Sequence, residues 1–164
     1  MEGSNEKLPH GDSSRLPVLP NQPAVVLHID DDPNDAELFR AAAVKARAAF
    51  ELQSVDDGEK AIAYLKGTGP YADRERYHFP KLILLDLKLP RATGFEILSW
   101  IRSHEEFADV PVVILSGSEL QDDIYRAYNA GANSYLVKPL GFDALVSLIR
   151  SIVKVWLTAE KPEK

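Results

Sequence analysis

Lys81-Leu82-Ile83-Leu84-Leu85-Asp86-Leu87-Lys88-Leu89-Pro90 decides how the rest of the chain is read. Four consecutive large apolar residues lead straight into a carboxylate, and Pro90 stops any regular continuation. An apolar run this short, bounded by polar residues and proline, reads as a strand buried on both faces rather than as a helix. Asp86 then stands at the carboxyl end of an interior strand, where open α/β sheets place their ligands.

Upstream, Ala24-Val25-Val26-Leu27-His28-Ile29 reads as a first buried strand running into Asp30-Asp31-Asp32-Pro33. Asp32 is a helix N-cap with Pro33 at the first helical position and Asp35 three past the cap. The helix they open runs to about Ala48, with Phe39, Ala42, Ala43, Ala46 and Ala49 as its apolar stripe. A weaker strand spans Phe50 to Val55. A helix from Asp57 to Lys66 follows, with Ala61, Ile62 and Leu65 inward, and Gly67 to Phe79 is a long polar loop. Downstream of Asp86, Thr93-Gly94 opens a helix that ends near Ser103, with Phe95, Leu98 and Ile101 on one face. Val110 to Leu115 is a strand closed by Ser116-Gly117-Ser118, and a helix from about Leu120 to Ala130 ends at Gly131, a good residue just past a helix end. Ser134 to Val137 is the last strand, followed by Lys138-Pro139. A final helix from Phe142 to Leu157 turns Phe142, Leu145, Val146, Ile149, Val153 and Trp156 inward.

Five β-α units with short connections predict an α/β protein, a parallel sheet covered by helices on both faces in a three-layer sandwich. The strand order 2-1-3-4-5 is taken from flavodoxin-like (βα)5 folds. One domain is expected over residues 24–157, preceded by a disordered or extended arm over 1–23 and followed by a short tail over 158–164. Leu16, Val18 and Leu19 of the arm are apolar enough to dock on a neighbour.

The totals narrow the function. Charged residues are 27% and apolar residues 45%, the mix of a soluble globular domain. The net charge of -6 argues against nucleic acid as a partner. The absence of cysteine excludes disulfides and thiolate metal sites. No stretch has the apolar length of a signal peptide core or a membrane span, so a cytoplasmic protein with no membrane partner is expected.

What ends each strand is more informative. The first strand ends in Asp30-Asp31, the third in Asp86, the fourth in Ser116 and the fifth in Lys138. With order 2-1-3-4-5, Asp30, Asp31 and Asp86 share a pocket at the switch point. Three carboxylates packed together repel, and a hard divalent cation relieves them; Mg²⁺ binds through a few carboxylates, waters and phosphate oxygens. Asp86 is then free to form an acyl phosphate, with Lys138 and Ser116 supplying a positive charge and a hydroxyl to the phosphoryl oxygens. Each residue has a bland reading taken alone: a turn-forming Asp, a solvated acidic cap cluster, a turn Ser, a surface Lys. Their joint placement at the ends of four strands of one sheet favours the functional reading.

These residues resemble the receiver domain of two-component response regulators over about Ala24 to Leu157. His28-Ile29-Asp30-Asp31-Asp32-Pro33 is similar to the family's acidic pair, Leu84-Leu85-Asp86-Leu87-Lys88-Leu89-Pro90 to its phosphoacceptor segment, Ile114-Leu115-Ser116-Gly117 to its Ser/Thr position, and Tyr135-Leu136-Val137-Lys138-Pro139 to its Lys-Pro position. The resemblance implies that Asp86 takes phosphate from a histidine kinase. It implies a Mg²⁺ site of Asp30, Asp31, Asp86 and the Lys88 backbone carbonyl. Ser116 and Tyr135 would be a coupled switch pair, and the bond before Pro139 is a candidate cis peptide. The protein would be a phosphoacceptor rather than an enzyme, at most slowly self-dephosphorylating. With no output domain after the last helix, and with the long loop before the third strand, it resembles the stand-alone receivers that partner phytochrome-type kinases. That group implies a homodimer through the face of the fourth helix, fifth strand and fifth helix, where Tyr125, Tyr128 and Trp156 are candidates for contact. Lys88 and Ser118 flank the pocket mouth.

Ser116 replaces the commoner Thr and keeps the hydroxyl. His28 replaces an aliphatic residue and is expected to be a hydrogen-bonded core histidine; His10, His78 and His104 show no metal spacing with it. Two other functions compete. A haloacid-dehalogenase-type phosphatase would use Asp30-Asp31-Asp32 as its Asp-x-Asp, but lacks an acidic pair after Lys138 and the length for a cap. A degenerate receiver serving only as a docking scaffold would not need the intact acidic set. Gly67-Thr68-Gly69 is neither a P-loop nor a dinucleotide fingerprint.

Overall fold

The three inner strands are apolar runs, and with two mixed outer strands they assemble in one parallel sheet. In a computed structural model, which describes residues 22–158, the strands are β1 (Ala24–Ile29), β2 (Phe50–Val55), β3 (Leu82–Leu85), β4 (Val112–Ser116) and β5 (Ser134–Val137). Their order is β2-β1-β3-β4-β5 and all four pairings are parallel. The crossovers are α1 (Pro33–Lys45), α2 (Gly58–Lys66), α3 (Gly94–Ser103) and α4 (Gln121–Asn129); α5 (Phe142–Ile152) follows β5 and winds on as a π-helical turn over Val153–Leu157. This is the expected three-layer α/β sandwich with the expected order.

Period-two alternation sorts the strand side chains between two cores. Val25, Leu27, Ile29, Ile83, Leu85, Val112 and Ile114 face α2, α3 and α4, while Val26, Leu82, Leu84, Val113 and Leu115 face α1 and α5. All four residues of β3 are fully buried. Among the described residues no helix is long and apolar enough to cross a membrane. The expected arm and its Leu16, Val18 and Leu19 lie outside the described residues, as does most of the expected C-terminal tail.

Several boundaries differ from the sequence reading, each for a local reason. Helix α1 stops at Lys45 because Arg47 takes a left-handed backbone, φ 53°, which turns the chain away and leaves Ala49 exposed instead of on the stripe. Strand β4 starts at Val112, because the Val110 carbonyl is taken by Arg102 instead of by a neighbouring strand. Phe142, read as inward, is 40% exposed at the first turn of α5, beyond the reach of the sheet. The loop after α2 is strapped down: Arg74 donates to the Leu65 and Tyr77 carbonyls, the Tyr64 hydroxyl donates to the His78 carbonyl, and the rings of Tyr64, Tyr71 and Tyr77 pack on one another. Gly67 permits this by capping α2 at φ 68°, a conformation costly for other residues.

Candidate functional site: an acidic nest at the strand ends

Three site residues are fixed by hydrogen bonds that extend the sheet one step past its strands. The Asp30 N–H donates to the Val55 carbonyl at 3.1 Å, the Asp86 N–H to the Ile29 carbonyl at 2.9 Å, and the Lys138 N–H to the Ser116 carbonyl at 2.8 Å. Their backbones therefore continue the sheet ladder beyond the strand ends. Side-chain oxygens of Asp30, Asp31 and Asp86 lie within 4.8 Å of one another, with Asp30 and Asp86 buried and Asp31 exposed. Hard oxygen donors at this spacing fit a hard divalent cation. Asp32 stands apart: its carboxylate caps α1 by accepting from the Asn34 N–H at 2.9 Å, while its own N–H donates to Asp30 Oδ1 at 3.0 Å.

Lys138 reaches into the nest from the end of β5. Its ammonium donates to Asp30 Oδ2 at 2.8 Å, Asp86 Oδ2 at 2.9 Å and Asp35 Oδ2 at 2.8 Å. Burial pulls the ammonium toward deprotonation, but these three hydrogen bonds outweigh it and hold the group well above the ordinary lysine range. Asp86 Oδ1 accepts from the Lys88 N–H at 3.3 Å. An open cleft of about 450 Å³, bordered by Asp31, Asp86, Lys88, Gly117 and Lys138 among others, leads from solvent to this carboxylate.

Ser116 is buried at the end of β4, with its hydroxyl oxygen accepting from the Ser118 N–H at 3.3 Å. Tyr135 packs its ring against the core and donates its hydroxyl to the Ser118 carbonyl at 2.8 Å. The Ser118 side chain donates to Asp123 Oδ2 at 2.5 Å and accepts from the Leu120 N–H, tying the loop after β4 to the first turn of α4. The sequence-predicted pair thus meets through Ser118.

Two expectations are corrected. The Lys138–Pro139 peptide is trans, like every peptide among the described residues. A trans bond is the intrinsic preference before proline, and the following Leu140 is fully exposed. His28 is a core histidine but not a hydrogen-bonded one: its Nδ1 has no partner, and its Nε2 lies 3.8 Å from Asp30 Oδ2. Its ring packs at a tilt against Phe39 instead, with centroids 4.6 Å apart. Burial first, and then repulsion by Lys138, lowers its pKa to about 4.

Two residues escaped the sequence reading of the site. Asp35 was legible only as a first-turn acid of α1, and its contact with Lys138 spans 103 positions. Gly94 was legible only as a helix start. A Cβ there would come within 2.7 Å of Leu87 Cα and would also strike the Asp86 carbonyl. The Gly94 N–H donates to the Leu87 carbonyl at 3.0 Å, so this close approach is what seats α3 against the segment after Asp86.

The sequence model of the response regulator receiver domain matches residues 26–150. The probable methanogenesis regulatory protein FilR2 of Methanothrix harundinacea is 35% identical over 138 residues, covering 82% of this chain and 84% of that one. Response regulator Rcp1 of a Synechocystis species is 34% identical over 137 residues, covering 84% and 91%. Its Mn²⁺-bound structure superimposes with a TM-score of 0.73 at 32% identity, covering 87% of this chain and all of that one. The phosphorylated cyanobacterial phytochrome response regulator RcpA gives a TM-score of 0.76 at 33% identity, covering 86% and 99%.

Proposed function

This chain belongs to the response regulator receiver domain family and is a two-component response regulator, and from that premise we propose that Asp86 accepts a phosphoryl group from a histidine kinase in a Mg²⁺-dependent reaction. The observation that carries the proposal is the convergence of Asp30, Asp31, Asp86 and Lys138 at the end of one cleft.

An Asp86 carboxylate oxygen attacks the phosphorus of the kinase's phosphohistidine. An oxygen–phosphorus bond forms while the phosphorus–nitrogen bond breaks, and the leaving imidazole nitrogen keeps the electron pair and takes a proton from solvent. Asp30, Asp31, Asp86 and the backbone carbonyl of Lys88 would hold Mg²⁺, which when bound neutralises charge on the transferring phosphoryl oxygens. The support for a divalent cation is the oxygen donor set here and the Mn²⁺ found in Rcp1. Lys138 supplies a fixed ammonium and Ser116 a hydroxyl donor to the same oxygens. Water attack on the acyl phosphate returns the carboxylate and releases inorganic phosphate. One phosphoryl group per chain is a signal rather than a turnover, which is why we read the protein as a regulator and not as an enzyme.

The readout follows from the Ser116–Ser118–Tyr135 linkage. A phosphoryl group that draws the Ser116 hydroxyl also moves the Ser118 loop, which Tyr135 and the start of α4 both hold. Around that loop, Leu120, Tyr125, Tyr128, Val137, Leu140 and Phe142 are exposed apolar residues on α4, β5 and the approach to α5. We assign this face to self-association, in a cytoplasmic domain spanning residues 24–157. The likeness to RcpA supports a phytochrome as the kinase.

Incubation with acetyl phosphate and Mg²⁺ should add one phosphoryl group per chain by intact mass, a chelator should prevent it, and Asp86→Asn should show none. Undiminished labelling of Asp86→Asn would overturn the assignment.

A further inference from the structure

One corner of the sheet is covered only in part. Strand β2 is an edge strand, and among the described residues it pairs with β1 alone. Its Phe50 and Leu52 turn to the same face as Val26 and pack beneath α1, but both stay half-buried. Between the later turns of α1 and β2 runs a groove of about 150 Å³, lined by Ala43, Val44, Ala48, Phe50 and Leu52, with Arg40 as its one charged residue. Val44 is 75% exposed there. An apolar seat beside an open sheet edge invites unwanted pairing unless something covers it.

The chain delivers an occupant to this place. Ala24, the first residue of β1, lies opposite Phe50 in the parallel register, so the residues before it reach the sheet at one end of the groove. A crossover helix between parallel strands runs antiparallel to them, which brings the end of α1 to the same corner. Gln22 is half-buried and still lies against the domain. Upstream of it, apolar side chains concentrate in Leu16-Pro17-Val18-Leu19-Pro20. Proline restricts the backbone before docking, so ordering this segment costs little entropy. Five Cα steps separate Leu19 from Ala24, a reach of roughly 16–18 Å, while adjacent strands lie about 4.8 Å apart. Asn21 and the flanking prolines are turn formers that suit a fold-back. So short a tether sets a local concentration on the order of millimolar, enough to fill a weak seat. A second copy would need roughly 800 Å² from each partner, and this groove seats only a few aliphatic side chains.

We propose that residues 16–19 dock in the groove between α1 and β2 of the same chain, with Leu16, Val18 and Leu19 covering Val44, Phe50 and Leu52. The arm is thus a built-in cover for the apolar side of the open β2 edge.

The test uses the full chain. It has no cysteine, so Ser14→Cys takes a single nitroxide label whose proximity broadens amide NMR signals. The label should broaden Val44, Ala48 and Leu52 several-fold more than the amides of α4. The tether alone brings the label near Phe50, so the deciding readout is the change on substitution. Leu16→Ser combined with Val18→Ser and Leu19→Ser should cut the broadening at Leu52 several-fold. Val44→Asp, on the exposed side of the seat, should do the same. Spin-labelled chains mixed with isotope-enriched, unlabelled chains should give no broadening. Broadening at Leu52 that survives either substitution set, or that is strongest on α4, would overturn the proposal. Broadening that persists in the mixed sample would make a second copy the occupant and overturn it equally.

Discussion

Two cations hold opposite ends of the sheet, and they are partnered in opposite ways. At the amino-terminal ends of β4 and β5, Arg102 of α3 donates to the carbonyls of Ala108, Val110 and Gly131 and to Asn133 Oδ1. Asn133 Oδ1 also accepts from the Val112 N–H at 2.8 Å. Every acceptor in that cluster is neutral and local to the backbone it fixes. At the carboxyl ends, Lys138 donates only to carboxylates, from β1, β3 and α1. A guanidinium forked onto backbone carbonyls has no competitor and serves as a permanent brace. An ammonium among anions can be outbid by a metal ion or a phosphoryl group. The same strategy, a cation tying loops together, yields a fixed end and a responsive end.

The largest expected effects separate the two. Lys138→Met leaves Asp30 and Asp86 buried without their cation, and in chelator it should cost about 3–5 kcal/mol, the scale of a broken buried pair. Millimolar Mg²⁺ should recover most of that loss, because metal binding to the native state replaces the missing charge. Arg102→Met should cost about 2–4 kcal/mol by orphaning several acceptors, and Mg²⁺ should recover none of it. Phosphorylation by acetyl phosphate should survive in Arg102→Met. Thermal unfolding with and without Mg²⁺ checks the contrast, and equal metal rescue of both variants would erase it.

A smaller effect belongs to the responsive end alone. Between its ordinary pKa of 6.5 and its lowered value of about 4, His28 in the unfolded chain takes up a proton that the buried ring refuses. Stability of the metal-free protein should therefore be whole above pH 6.5 and fall by about 3 kcal/mol as pH drops toward 4. His28→Leu should flatten this slope in urea unfolding measured across that range; an unchanged slope would assign it to other groups.

The smallest effect probes the seat of α3. Gly94→Ala should cost about 1–3 kcal/mol by forcing a methyl onto backbone, and should slow phosphorylation by shifting the segment after Asp86. Gly117→Ala, with nothing within 4 Å of the added carbon, should move stability by less than about 0.5 kcal/mol. Comparable losses in the two would mean that the close approach at Gly94 is not what holds the loop.

The responsive end was far more legible in the sequence than the fixed one. Asp30, Asp86, Ser116 and Lys138 each follow an apolar run, so finding the strands located the chemistry. The three inner strands were visible because burial on both faces leaves an apolar word such as Leu82-Ile83-Leu84-Leu85, whereas β2 shows only Phe50, Leu52 and Val55 among polar residues. Arg102 and Asp35 were invisible because their meaning lies in partners 29 and 103 positions away, and no local pattern encodes such a contact. The end of α1 is not legible because an alanine-rich run favours helix, while a single left-handed residue at Arg47 stops it. The state of His28 depended on what surrounds its ring, which residue type alone does not disclose. The isomer before Pro139 is not encoded in the Lys138-Pro139 motif itself.

The most direct test of the account is chemical mapping of the acceptor. The chain is phosphorylated with acetyl phosphate and Mg²⁺, reduced with borohydride, which converts an aspartyl phosphate to homoserine, and sequenced by peptide mass spectrometry. The account predicts conversion at position 86 and nowhere else; conversion at position 30, 31 or 35 with position 86 intact would contradict it.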